Sequence, residues 1–308
     1  MSAPPSPPLA NDPAAARVGV IAGLLTFGTW GLLPLYLKQL ADLPPPEVLA
    51  NRVVWSVVMM AIFIVVLREW NAVIKAVTNR RVILTLIATA TLITINWLIY
   101  IFAVSSGHIL QASLGYFINP LISVLFGFIF LRETMLRQHW IAVGLAALGV
   151  GFLIVRLGEI PIVSLGLAFT FATYGLLRKT IPVTGITGMA IESMLIGPLA
   201  LAYLLWLEHQ GVGHFGHDGA MRDALLILGG PVTAIPLVLF GIAVRRVRLS
   251  TIGLMQYIAP SGQFLLATQL YDEPFTATHA WAFSCIWLGL AIYSAPRSWL
   301  QRIGLGGA

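Results

Sequence analysis

Leu110 to Glu133, LQASLGYFINPLISVLFGFIFLRE, returns 140 residues later as Ser250 to Glu273, STIGLMQYIAPSGQFLLATQLYDE. Without a gap, Ile118 falls on Ile258, Pro120 on Pro260, Glu133 on Glu273 and His139 on His279; Ala142 falls on Ala282, Leu148 on Leu288 and Gly149 on Gly289. Each copy is an apolar run longer than a soluble core helix needs, interrupted near its middle by a proline. That proline removes one backbone donor and clashes with the carbonyl four residues back, which belongs to Tyr116 in one copy and Gln256 in the other. The chain therefore holds the same kind of membrane helix twice.

Composition agrees with this reading. The 308 residues are 58% hydrophobic and 10% charged, with a mean hydropathy of +0.89. Soluble domains carry about 25% charged residues, so this is a polytopic membrane protein. No soluble basic domain exists to hold nucleic acid. The single cysteine, Cys285, lies inside an apolar run and reads as a packing residue, and no Cys/His spacing matches a metal or haem site. No cofactor is expected. The opening MSAPPSPPLANDPAAAR lacks the basic region and cleavage site of a signal peptide, so residues 1–16 read as a disordered cytoplasmic tail; residues 298–308 read as a cytoplasmic tail.

With about 20 apolar residues per crossing, the chain divides into ten spans near 18–38, 47–67, 82–104, 109–131, 138–156, 161–178, 187–207, 224–244, 250–270 and 277–295. Connections are short and made of turn formers or charges. Only 208–223, EHQGVGHFGHDGAMRD, is long enough to carry a structure of its own. On the side of the N-terminus lie Arg17, Arg68, Lys75, Arg80, Arg81, Arg132, Arg137, Arg178, Lys179, Arg245, Arg246, Arg248, Arg297 and Arg302. Opposite them stand Lys38, Arg156 and Arg222, and Arg52 is embedded. This bias predicts that both termini are cytoplasmic and that the basic loops face anionic lipid headgroups.

The repeat extends beyond the opening stretch. Phe27-Gly28-Thr29-Trp30-Gly31-Leu32-Leu33 corresponds to Phe171-Ala172-Thr173-Tyr174-Gly175-Leu176-Leu177, here at an offset of 144. The expected fold is an all-α integral membrane protein whose ten helices form two repeats of five, 17–156 and 157–297. Five is odd, so the second repeat enters the membrane from the opposite face. The two halves are then related by a pseudo-two-fold axis in the membrane plane.

Candidate functional residues follow from depth. Pro120 lies 12 residues from His108, about 18 Å into a core of roughly 30 Å, and Pro260 about 15 Å from the inner end of its span. Irregular backbone at that depth is tolerated where it is packed in protein or lines a cavity. Tyr116, Asn119, Gln256 and Tyr257 flank the two breaks; they line a cavity, or the prolines are packing kinks. Arg52 and Glu192 lie within spans and are again 140 residues apart. Lying near opposite faces, roughly 14 Å apart along the membrane normal, they read as counterparts, one at each gate, rather than as a pair. Snorkelling toward an interface is the alternative. Asn96, beside Trp97, either meets substrate or bonds a neighbouring helix. Trp30, Tyr174, Tyr100 and Tyr116 give a cavity aromatic walls or form an interfacial belt. His209, His214 and His217, spaced among glycines, match no rigid metal site and read as a solvated loop.

The segments Gln111-Ala112-Ser113-Leu114-Gly115-Tyr116-Phe117-Ile118-Asn119-Pro120-Leu121, Asn51-Arg52-Val53-Val54-Trp55-Ser56, Asn96-Trp97, Gly188-Met189-Ala190-Ile191-Glu192 and Arg248-Leu249-Ser250-Thr251-Ile252-Gly253 resemble the RarD proteins. These belong to the EamA branch of the drug/metabolite transporter superfamily. The resemblance runs over about residues 15 to 297. It implies ten helices in two inverted halves, the bacterial cytoplasmic membrane, and a permease. Chloramphenicol sensitivity is attached to the family by name, and similar branches export amino acids or other metabolites.

These readings converge on a secondary transporter of a small amphipathic metabolite or drug, with lipids and the substrate as partners and a proton as coupling ion. No GxxxxGK[ST] loop is present, so the chain is not expected to hydrolyse ATP. The rival classes are an intramembrane enzyme, for which no convergent catalytic set is visible at one depth, and a non-transporting accessory protein.

Overall fold

The computed structural model describes residues 13–131, 137–158, 160–244, 246 and 255–295. All secondary structure among them is helical. In chain order the helices are α1 (Pro13–Lys38), α2 (Pro45–Leu67), α3 (Trp70–Thr78), α4 (Arg80–Ser105), α5 (Ile109–Leu131) and α6 (Arg137–Leu157). They continue with α7 (Ile162–Lys179), α8 (Gly185–His209), α9 (Ala220–Val244), α10 (Ile258–Gln269) and α11 (Ala277–Ser294). Seven of them are long and apolar enough to cross a membrane: α1, α2, α4, α5, α6, α8 and α9. Ile162–Arg178 and Ala277–Tyr293 are shorter apolar helices. The protein is a multi-pass membrane protein.

Local chemistry explains the boundaries. α1 starts at Pro13, inside the segment expected to be a disordered tail; a proline suits a first helical position because the missing N–H has no partner there anyway. Asn79 accepts hydrogen bonds from the N–H groups of Arg81 and Val82 at 3.1 and 3.2 Å and so caps α4. Thr184 does the same for α8 through the Thr187 N–H at 3.2 Å. Glu273 caps α5 from a distant part of the chain, its two carboxylate oxygens accepting from the Ile109 and Leu110 N–H groups at 2.8 and 2.7 Å. Its repeat counterpart Glu133 lies outside the described residues.

Two expectations are corrected. The basic segment after α2 is not a plain loop: it carries α3, which buries Ala76 and exposes Trp70, Ile74 and Val77. Those three share one face of a helix, and Arg68, Lys75, Arg80 and Arg81 flank it, the pattern of a helix lying in the headgroup layer. The two prolines also behave differently. α5 runs on through Pro120, whereas α10 begins at Ile258 after a turn at Gln256–Tyr257, which puts Pro260 in its first turn. Residues 250–254 of the predicted ninth span lie outside the described residues.

The helices pack in a regular pattern: α6 against α11, α2 against α8 and α9, α4 against α7 and α8, α5 against α7 and α10, and α1 against α9 and α10. Small residues permit the closest approaches. A methyl group on Gly149 would meet the Ala282 carbonyl oxygen at 2.9 Å, and one on Gly289 would meet the Ala142 carbonyl oxygen at 2.9 Å. Gly115 backs onto the main chain at Ser164 just as closely.

Candidate functional site

Arg52 and Glu192 each sit seven residues into their helices, α2 and α8, about 10 Å along the axis. Both are buried, at 3% and 2% exposure, and they do not pair with each other. Each is held instead by a threonine of a neighbouring helix. The Arg52 guanidinium donates from Nε and Nη2 to the Thr233 hydroxyl on α9 at 3.3 and 3.0 Å. The Thr89 hydroxyl on α4 donates to Glu192 Oε1 at 2.6 Å.

Beyond the threonines the two environments diverge. Glu192 also accepts from the Tyr174 hydroxyl at 3.3 Å and lies 3.8 Å from Arg178 Nη1, so its charge is compensated by a cation of α7. Among the described residues Arg52 has no such partner. Its guanidinium carbon lies 5.6 Å from the centre of the Trp97 ring, a cation–π contact, and its Nη1 has no hydrogen-bond partner. The hydroxyls of Tyr36, Tyr100 and Tyr116 are within electrostatic reach.

Asn96 is buried, and its amide donates to the Leu167 carbonyl at 3.0 Å and the Thr170 hydroxyl at 2.8 Å, both on α7. It therefore bonds a neighbouring helix, the commoner of its two expected fates. Its oxygen accepts a long bond, 3.4 Å, from the Tyr116 hydroxyl. Tyr116 packs on Tyr100 at 5.7 Å and on Phe171 at 6.3 Å.

Of the residues singled out from sequence, Arg52, Asn96, Trp97, Tyr100 and Tyr116 come together in one cluster, and Tyr174 with Glu192 in another. Trp30 stands apart, against Phe27 and Phe240 at 5.5 and 6.1 Å, its carbonyl accepting from Gln263 at 3.2 Å. Tyr257 stacks on Phe117 at 6.4 Å, Gln256 is exposed, and Asn119 is reached by Ser123 at the 3.5 Å limit. Pro260 offers its carbonyl to Ser113 of α5 at 2.8 Å, tying α5 to α10. A cavity with room for about one water, about 10 Å³, lies beside Glu192, lined also by Val53, Trp97 and Ser193 among others.

Sequence reasoning missed Thr89 and Thr233, although a signal existed: they are 144 residues apart, the offset of the Phe27 and Phe171 segments. It also undervalued the histidine loop. His214 donates its backbone N–H to Glu47 Oε1 at 2.9 Å, and its ring nitrogen lies 2.8 Å from Oε2, while Phe215 packs on Trp55 at 6.0 Å. Arg222 pairs with Asp42 at 2.7 Å. The loop is thus fastened over the end of α2 that carries Arg52. Among the described residues no His/Cys/Asp/Glu cluster is arranged to hold a metal.

Comparison with known proteins gives this arrangement its context. The EamA-like transporter family matches residues 17–155. A transporter of Vibrio cholerae, itself uncharacterized, is 42% identical over 283 residues, 92% of this chain and 94% of that protein. The chain belongs to the EamA-like transporter family. Protein RarD of Escherichia coli is 41% identical over 291 residues, 94% of this chain and 98% of that protein. A crystal structure superposes with a TM-score of 0.57 over 89% of this chain and 96% of its own at 17% identity, a likeness of fold alone.

Proposed function

We propose that this protein is a secondary transporter that moves a small amphipathic metabolite or drug by alternating access. It does so with ten crossings in two inverted repeats, 17–156 and 157–297, in the bacterial inner membrane with both termini in the cytoplasm. One observation carries the reading: the contacts between helices are reciprocal under exchange of the two halves. Gly149 meets Ala282 and Gly289 meets Ala142, at the 140-residue offset. Arg52 with Thr233 mirrors Glu192 with Thr89. Such reciprocity supports two mirror-related gates around a central site, a design for which a scaffold or an enzyme has no use.

In the mechanism, Arg52 belongs to the outer gate and Glu192 to the inner one. Asn96, Trp97 and Tyr116 contribute the walls on the Arg52 side and Tyr174 those on the Glu192 side; Asn119, Gln256, Tyr257 and Trp30, which stand apart in this conformation, would join them only as the helices move. Glu192 takes up and releases the coupling proton, since a carboxylate at that depth is the natural proton carrier. The test is a panel of amino acids, aromatic metabolites and chloramphenicol offered to proteoliposomes with and without a pH gradient. Gradient-driven accumulation of one compound is expected, with Glu192→Gln reducing it to downhill movement only. Accumulation by Glu192→Gln equal to the parent at every pH rules out the coupling role, and no movement of any compound rules out the transporter.

A further inference from the structure

We propose that Arg52 is the recognition group for a carboxylate, carried on an apolar or aromatic body, in the solute that enters this site. The proposal rests on the transporter reading for its physiological meaning, while the binding site rests on its own geometry. The ion pairs among the described residues join Arg178 to Glu192, His214 to Glu47, His217 to Glu208 and Arg222 to Asp42, and none of them includes Arg52. A buried guanidinium facing only a hydroxyl and an indole is a costly arrangement within a membrane span, and such residues mark solute pathways.

Three donors near it lack a hydrogen-bond partner: Arg52 Nη1, the Ser56 hydroxyl and the Tyr100 hydroxyl. All three side chains are buried, Ser56 at 0% and Tyr100 at 2% exposure. Ser56 follows Arg52 by four residues on α2, so the two share one helix face. Tyr100 belongs to the same cluster through Tyr116, on which it packs at 5.7 Å. Two carboxylate oxygens have acceptor capacity for this whole set. A guanidinium also prefers a planar two-oxygen acceptor.

Charge balance favours a carboxylate over a phosphate. The site holds one uncompensated positive charge, because Glu192 has Arg178 as its own counter-ion. A single negative charge neutralises it, and a dianion would leave a net charge inside the membrane. The apolar body would meet a matching wall once the helices part: Trp97, which lies against the guanidinium, also lines the one-water cavity with Val53, Ile93, Met189 and Ile196, and that cavity must widen to admit it.

The experiment uses the purified full-length chain in nanodiscs with two probes of matched shape, 3-phenylpropanoate and the neutral 3-phenylpropanamide. Thermal stabilisation and tryptophan fluorescence report binding. The carboxylate is expected to bind at least tenfold more tightly than the amide. Arg52→Gln should erase that preference, and Arg52→Lys should retain part of it because charge remains while the fork is lost. Ser56→Ala and Tyr100→Phe, which leave the charge in place, should weaken the carboxylate several-fold and leave the amide unchanged. Equal affinity for both probes, a preference that survives Arg52→Gln, or no binding of either probe overturns the proposal. Proteoliposomes separate this failure from that of the transporter reading. Carboxylate bound but nothing moved keeps the site and removes the permease; neutral solutes moved with no carboxylate preference does the reverse.

Discussion

The surroundings of Arg52 and Glu192 are built to one plan and finished differently. Both residues stand seven positions into a helix, both are buried, and each takes a threonine hydroxyl from the adjacent helix. Yet Glu192 is surrounded by compensation, with Thr89, Tyr174 and Arg178 around one carboxylate. Arg52 has one hydroxyl, one indole face and an unpartnered nitrogen. The two helices thus hold a buried charge at the same position while its neutralisation differs. Both sites leave a guanidinium nitrogen without a hydrogen-bond partner, Arg178 Nη1 in one and Arg52 Nη1 in the other, but among the described residues only the first faces a carboxylate.

The largest effect that would break this contrast is on stability. Glu192→Leu strands Arg178 without its anion and is expected to destabilise the protein by about 3 kcal/mol, as when one partner of a buried pair is removed. Arg52→Leu strands nothing, because the Thr233 hydroxyl retains the Gly229 carbonyl at 2.8 Å. It should be neutral or stabilising while removing anion binding, as expected where a strained site serves function. Thermal unfolding of the two variants decides the matter: equal losses would make Arg52 structural.

A smaller difference separates the threonines. Thr233→Val removes the only hydrogen-bond partner that a buried cation has among the described residues, an effect of roughly 1.5–3 kcal/mol. Thr89→Val leaves Glu192 with Tyr174 and Arg178, so its effect should be about half as large. Denaturation of both variants in the same detergent measures the ratio. A larger loss for Thr89→Val would invert the assignment of which charge is complete.

The repeat itself predicts equality elsewhere. Gly149→Ala and Gly289→Ala each drive a methyl group against a backbone carbonyl at 2.9 Å and should each destabilise by about 1–3 kcal/mol, within about 0.5 kcal/mol of each other. Unequal losses, measured by thermal unfolding, would weaken the two-fold relation on which the comparison rests.

The smallest effects belong to the loop over the Arg52 side. Its hydrogen bond to Arg222 holds the Asp42 carboxyl below its usual range. The pair therefore contributes at pH above about 4 and is lost as pH falls through the lowered value; being exposed, it is worth below about 1 kcal/mol. His217 is raised by its hydrogen bond to Glu208, so its contribution is present below about pH 6.5 and fades as pH rises through the raised value. Amide exchange in residues 210–219 should be slowest between these limits. Exchange that does not respond to pH beyond its intrinsic chemical dependence would remove the loop from the comparison.

Much of this molecule was legible from its sequence because a bilayer imposes a length and a polarity on each crossing. Apolar runs of that length located the long helices to within a few residues, and embedded Arg52 and Glu192 announced themselves by their expense. α3 escaped notice because nine amphipathic residues among basic ones look like a cytoplasmic loop until Ala76 is seen to be buried. The histidine loop escaped because its partner Glu47 lies 167 residues away and nothing local marks the two as neighbours. Proline spacing located the irregular regions but not their form: Pro120 stays within a helix and Pro260 opens one.

The sequence by itself determined the class of protein, the long apolar helices, the 140-residue offset between like segments, and which two charged side chains lie inside those helices. Those follow from the transfer energy of residues taken one at a time. The tertiary structure decided how those charges are satisfied, which aromatic residues share a cluster, and that Asn96 ties two helices together. Each of these depends on hydrogen bonds and ring contacts between helices, whose geometry is set by packing and not by spacing along the chain.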